Sequence, residues 1–145
     1  MELSAKSEYA LLALLEMSTA YKQAEPLQIR QIAAMHNIPD RYLEQLMATL
    51  RRKGLIRSQR GARGGYLLAK APWQISILDV LNCIEGMDSK LEQKLPDSGD
   101  LARSLIRSIW LEACAAANEV LRKHTLQDLC DRRQAYQQAD VMYYI

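Results

Sequence analysis

The chain has 145 residues, of which 49% are apolar, enough to bury one core but short for two domains of independent size. Its net charge of +2 conceals a division: residues 1–74 hold 11 Lys and Arg against 6 Asp and Glu, whereas residues 75–145 hold 8 against 11, so the first half suits a polyanion and the second suits protein. No apolar run approaches a membrane span, Glu2 and Glu8 interrupt any leader-like start, and three cysteines do not make a disulfide framework, so a cytoplasmic setting is expected.

A first helix is expected from residue 3 to about 21. Ser4 or Ser7 can cap it, and Ala10, Leu11, Leu14, Leu15 and Met17 form a wide apolar arc. Lys6 and Tyr9 lie at its start, where each either touches phosphate or faces solvent. A polar connection over 22–26 leads to a short second helix over 27–35, with Ile29, Ile32 and Ala33 inward. His36-Asn37-Ile38-Pro39 then reads as a turn, because Asn accepts a left-handed backbone and a residue before proline leaves the helical region. His36 is read as a turn or surface residue and not as a ligand.

The third helix starts at Pro39 or Asp40, with Pro at the first position or Asp as cap. Leu43, Leu46, Met47 and Leu50 form its apolar face. The other face carries Arg41, Gln45, Ala48 and Arg52, with Glu44 and Arg51 beside them. Gly54 follows a basic last turn and supplies a left-handed stop. Two strand-like runs, 55–59 and 66–69, are joined by Arg60-Gly61-Ala62-Arg63-Gly64-Gly65. From Arg51 to Arg63 there are six cations and no acid, whereas an ordinary solvated hairpin mixes signs. Helix, short helix, turn, helix and basic hairpin together spell a winged helix-turn-helix for DNA. The third helix would enter a major groove, and the hairpin would reach the neighbouring minor groove or the backbone.

Pro72-Trp73-Gln74 breaks the pattern. Ser76-Ile77-Leu78-Asp79 reads as a capping box that opens a fourth helix, ended by Gly86. Residues 87–99 read as a polar loop where a regulatory ligand could sit. From 100 to about 123 one long helix is expected, with two adjacent stripes. One is Leu101, Leu105, Ile109, Ala113, Ala116 and Val120; the other is Ala102, Ile106, Trp110, Cys114, Ala117 and Leu121. Two stripes exceed what one small domain has to cover. Leu101, Leu105, Ile109, Trp110, Ala113, Ala116 and Val120 are therefore expected to meet a symmetry mate; burial within one monomer is the plainer alternative. Thr125-Leu126-Gln127-Asp128 caps a last helix running to about 139. The apolar end, through Tyr144 and Ile145, either folds back onto the dimer or is held by another protein.

The expected architecture is thus mainly α with a small β-hairpin wing. Residues 1–72 form a winged helix-turn-helix domain, 73–99 a fourth helix and regulatory loop, and 100–145 a dimerisation helix, last helix and tail. Nothing points to an enzyme: the sequence holds no HExxH, no paired CxxC and no phosphate loop ending in GK[ST]. A module that only docks other proteins is the competing class, and the intact basic stretch favours DNA.

Tyr42-Leu43-Glu44-Gln45-Leu46, Leu50-Arg51 with Gly54-Leu55, Arg60-Gly61 and Gly64-Gly65-Tyr66-Leu67-Leu68 resemble the Rrf-two family of bacterial winged-helix transcriptional regulators. With Leu3-Ser4-Ala5-Lys6-Ser7-Glu8-Tyr9-Ala10 the resemblance spans nearly the whole chain. It implies a homodimer whose long helices cross and whose two wings read a palindromic operator. It also implies that Arg41, Glu44 and Gln45 face bases, which suits their chemistry: Arg for guanine, Glu for a cytosine amino group, Gln for an adenine edge. Arg60 would lie in the minor groove with Arg63 near it. Gly61, Gly64 and Gly65, leading into Tyr66, would let the loop approach the backbone closely. Arg51, Arg52 and Arg57 would touch phosphate or solvent, giving affinity without sequence choice, and Lys6 would join them if it meets phosphate rather than solvent.

Iron–sulfur members of the family carry three cysteines in the loop before the long helix, and here that loop has none. Cys83, Cys114 and Cys130 each fall on an expected helix. A cluster needs converging thiolates, whereas a cysteine on an apolar stripe is usually a small core residue. No metal ligand and no cofactor are expected. A cluster shared across a dimer with His124, or a redox role for one exposed thiol, are the alternatives. In this the chain resembles the CymR branch, associated with cysteine and sulfur metabolism. The implied function is a repressor responding to sulfur or cysteine, iron or redox status. Cysteine synthase holds partner proteins by a C-terminal isoleucine, so docking of Ile145 in such an enzyme is the alternative function.

Overall fold

In the computed structural model, residues 2–86 and 99–143 are described. They form α1 (Ala5–Thr19), α2 (Ile29–His36), α3 (Asp40–Arg52), β1 (Ile56–Gln59), β2 (Gly65–Leu68), a 3-10 turn (Pro72–Gln74), α4 (Ile77–Glu85), α5 (Leu101–Lys123) and α6 (Leu126–Tyr143). The expected helical fold with a β-hairpin wing is present. The expected regulatory loop, except Gly99, lies outside the described residues.

Ser4 caps α1, its hydroxyl accepting the Ser7 N–H at 3.2 Å. Ser7 itself is buried and donates to Glu85 Oε1 at 3.1 Å; the Ser4 hydroxyl donates to the same oxygen. The first turn of α1 is thereby tied to the end of α4. Ala10, Ala13, Leu14 and Met17 of α1 pack on Ile32 and Ala33 of α2, on Leu43, Met47 and Leu50 of α3, and on Ile75 and Val80. Leu14, Ile32, Leu43, Met47 and Leu50 are among the largest fully buried side chains. Each stabilises the fold by about 2 kcal/mol relative to exposure.

The turn between α2 and α3 hangs on Asn37, whose φ of 54° is left-handed, with the Ile38 N–H reaching Ala33 O at 3.0 Å. Pro39 occupies the cap of α3 and Asp40 its first turn, with no side-chain capping bond; Asp40 acts there through the helix dipole. At the other end the Leu55 N–H bonds Leu50 O at 3.0 Å and the Gly54 N–H bonds Arg51 O at 3.0 Å. With Gly54 at φ 82°, this is a Schellman stop. Buried Leu55 then continues straight into β1, so the helix and the wing share one rigid corner.

β1 and β2 pair antiparallel, with Ile56 opposite Leu68 and Gln59 opposite Gly65. Leu27, expected as the first residue of α2, is instead a one-residue edge strand. Its N–H bonds Tyr66 O at 3.0 Å, and the Tyr66 N–H bonds Leu27 O at 2.8 Å. The helix begins two residues later because Leu27 is taken up by the wing.

Two capping boxes stand side by side. The Asp79 N–H bonds Ser76 Oγ at 3.0 Å and the Ser76 N–H bonds Asp79 Oδ2 at 2.9 Å. The Thr125 N–H bonds Asp128 Oδ2 at 2.9 Å, and the Asp128 N–H bonds Thr125 Oγ1 at 3.2 Å. Backbone bonds join them: Ile77 N–H to His124 O at 2.8 Å and Leu126 N–H to Ile75 O at 2.9 Å. Leu126 is fully buried, so one core runs from α1 into the start of α6. The C-terminal half of α5 rests near this corner, with Cys114 buried, while its N-terminal half is exposed almost throughout. α6 packs against α1 and the 3-10 turn. It continues to Tyr143 rather than stopping near 139, because no glycine or proline follows Ala139 to end it.

Candidate nucleic-acid interface

Burying Leu43, Leu46, Met47 and Leu50 turns the opposite face of α3 outward. Arg41, Glu44, Gln45, Arg51 and Arg52 are all exposed there. Arg52 donates to Thr49 Oγ1 at 3.2 Å and so lies along its own helix. On the wing, Arg57, Arg60, Gly61 and Arg63 are exposed. Arg41, Arg51, Lys53, Arg57, Arg60 and Arg63 form no ion pair with the described residues, so their charge is uncompensated. Such a surface gathers potential that attracts a polyanion.

The wing glycines divide by role. A Cβ at Gly65 would stand 2.6 Å from Leu27 O, and one at Gly64 would overlap Gln59 O. Gly64 therefore serves closure of the hairpin on its own backbone and Gly65 the close approach of Leu27, reasons the sequence alone did not reveal. Gly61 differs: its φ is 114° and open space surrounds it. Tyr66 is half-buried, held between Ser58 and Leu27 and packed on the core. Lys6 is exposed one turn before Tyr9, whose ring meets Tyr42 edge-on at 5.6 Å. The start of α1 therefore stands beside the start of α3. Arg30, overlooked in the sequence, is an exposed cation at the start of α2, bonded to Gln28 Oε1 at 2.8 Å. The Leu27–Tyr66 bridge brings that helix start against the wing, and only this pairing signals its relevance.

His36 proves to be more than a surface residue. Its Nε2 lies 3.0 Å from Glu16 Oε1, and that same oxygen receives Arg133 Nη1 at 2.6 Å. Arg133 Nη2 donates to Thr19 Oγ1 at 2.7 Å. One carboxylate thus joins α1, α2 and α6. Burial raises the Glu16 pKa, but the hydrogen bonds and charges of Arg133 and His36 outweigh it and hold the carboxyl below its ordinary value.

Cys83 and Cys130 are half-buried and Cys114 is buried, all three as free thiols. Burial pushes the Cys83 thiol up against the opposing charge of Lys53. It pushes Cys130 up despite a hydrogen bond with Thr19. Among the described residues no three His, Cys, Asp or Glu gather around a point that could hold a metal ion. Residues 87–98 contain neither Cys nor His. Cys83, Cys114 and Cys130 lie on three different helices and do not converge on one point among the described residues.

Leu101, Leu105, Ile109, Trp110, Ala113, Ala116 and Val120 are exposed along α5. Tyr144 and Ile145 lie outside the described residues. No described helix is long and apolar enough to cross a membrane.

Residues 3–132 match the family Rrf2, described as an iron-dependent transcriptional regulator. The chain is 36% identical over 143 residues to the HTH-type transcriptional regulator CymR of Bacillus subtilis, covering 99% of each. It is 30% identical over 141 residues to the HTH-type transcriptional regulator IscR of Pectobacterium carotovorum, covering 97% of this chain and 85% of that one. Among solved structures it is similar to CymR, described as the global cysteine regulator of B. subtilis. The TM-score is 0.79 at 32% identity, over 91% of this chain and 98% of that one. It is similar to T. potens IscR with TM-score 0.79 and 31% identity, over 94% and 91% respectively.

Proposed function

The chain belongs to the Rrf2 family and is therefore a DNA-binding transcriptional regulator rather than an enzyme, and from that premise we propose that it acts in the cytoplasm as a homodimeric repressor on a palindromic operator. The observation that carries this reading is the outward face of α3 joined through the Gly54 corner to a wing with no acid on it. Arg41, Glu44 and Gln45 read base edges in the major groove. Arg60 enters the adjacent minor groove with Arg63 beside it, and Gly61 lets the tip approach the backbone. Arg51, Arg52, Arg57 and Lys6 hold phosphate and set the register. The second copy is received on the exposed apolar face of α5, and the two wings then present the same surface to the two halves of a palindrome.

For the signal, cysteine or sulfur status is favoured over an iron–sulfur cluster. CymR is described as a global cysteine regulator, and the cysteines here do not gather into a ligand set. The test is selection of bound fragments from random DNA, followed by titration at rising salt. A palindromic consensus occupied by two chains, with affinity falling linearly on a logarithmic salt scale, is the expected result. Binding by one chain to half a palindrome, or affinity flat with salt, overturns it.

A second reading has its own support. Tyr136 and Val141 on α6 are 78% and 60% exposed, so neither side chain packs on the described core. That arrangement suits presentation of the Ile145 carboxylate to a cysteine synthase. Recovery of the enzyme by the intact chain, but not by one lacking Tyr144 and Ile145, is expected; equal recovery with both discards this reading.

A further inference from the structure

The end of α1, the 3-10 turn and α6 line an open cleft of about 640 Å³. That is within the range of small-molecule sites. One wall is aromatic. Trp73 and Tyr21 meet edge-on at 5.9 Å, and Trp73 is left 57% exposed, unusual for so large an apolar ring. The rest is polar, with Gln23, Gln127, Gln134 and Gln137 supplying amides.

The charges in the cleft divide into satisfied and unsatisfied ones. Glu16 and Arg133 compensate each other at 2.6 Å. Lys22 and Asp131 also line the cleft, yet neither forms an ion pair with the described residues. Among the described residues Asp131 Oδ1 accepts an amide alone, Gln127 Nε2, at 2.9 Å. Among the described residues the cleft therefore offers one unpaired cation, Lys22, and one unpaired anion, Asp131, that do not neutralise each other. A simple anion would answer Lys22 and be repelled by Asp131, and a simple cation would do the reverse. A molecule carrying both charges answers both, and its aliphatic part can lie on Trp73.

We propose that this cleft binds a zwitterion of the amino-acid class, with its carboxylate towards Lys22 and its ammonium towards Asp131. The site goes beyond operator binding, although it shares Glu16 and Arg133 with the link to α2. Binding is tested without DNA, so the result is independent of the operator reading.

The experiment is calorimetric titration of the full-length protein with free proteinogenic amino acids, one at a time, at millimolar concentration. At least one should bind with one molecule per chain. For that ligand, Lys22→Ala and Asp131→Ala should each weaken binding about tenfold, the loss of one charge-assisted contact. Both residues are exposed or peripheral to the core, and unchanged melting of the variants confirms that they fold. The N-acetylated and the carboxamide forms of the ligand should lose affinity to a similar degree. No binding by any amino acid overturns the proposal. So does full affinity in either variant, or in either capped form.

Discussion

At Glu16 one carboxylate oxygen receives both Arg133 and His36, so a charge on α1 holds α2 and α6 together. Glu16→Gln should destabilise the fold by about 2 kcal/mol in urea denaturation at neutral pH. The folded-state pKa is depressed, so this contribution is complete above the ordinary carboxylate range and is lost as pH falls through it and below. The difference between the native and Gln chains should accordingly shrink on acidification. None of this could be read from spacing, because Arg133 lies far along the chain from Glu16 and His36 resembled an ordinary turn residue. The outward face of α3 was more legible: its apolar stripe fixes by periodicity which residues point outward. Arg60→Ala should weaken operator binding about tenfold in fluorescence anisotropy, the smaller end of what a base-proximal contact is worth. Unchanged affinity at physiological salt would remove Arg60 from the minor groove. Glu44→Ala should relax base preference more than it lowers non-specific affinity, and unchanged preference would exclude Glu44 from readout.

Among the elements, the wing depends on a contact the local pattern conceals. Leu27 looks like the first residue of an amphipathic helix, yet it pairs with Tyr66 as a strand edge, because helical and strand patterns coincide at a single apolar residue. Gly65 is required where that edge approaches, with a Cβ placed 2.6 Å from the Leu27 carbonyl oxygen. Gly65→Ala should therefore cost more than Gly54→Ala, which meets no atom and pays only the left-handed backbone, about 1 kcal/mol. Urea midpoints of the two variants decide the order, and equal midpoints would mean that the wing moves aside freely. Caps and stops were the most legible features of all, since Ser4, Ser76, Thr125, Gly54 and Gly86 act through immediate neighbours. The end of α6 was not, because the chain there offers no stop residue and the apolar tail invited a break.

For the whole molecule, the stripes of α5 could be counted in the sequence, but which stretch would lie on the chain's own body could not. The division follows from where α4 ends and from the corner at Leu126, both set by residues far from the stripe. Ile109 is 68% exposed, so Ile109→Glu should leave the circular dichroism and the monomer fold intact. Sedimentation should then show single chains, and operator affinity should fall by at least tenfold if two linked half-sites are needed. Dimers of unchanged strength would place the second copy elsewhere. The paired capping boxes at Ser76 and Thr125 have a mechanical consequence. They tie the C-terminal end of α5, at His124, to the start of α4. With 23 residues at about 1.5 Å each, α5 is about 35 Å long from end to end, close to one turn of B-DNA. In the proposed dimer a helix of that length would act as a ruler, setting the gap between half-sites, and lengthening α5 by one helical turn should shift the preferred gap on DNA.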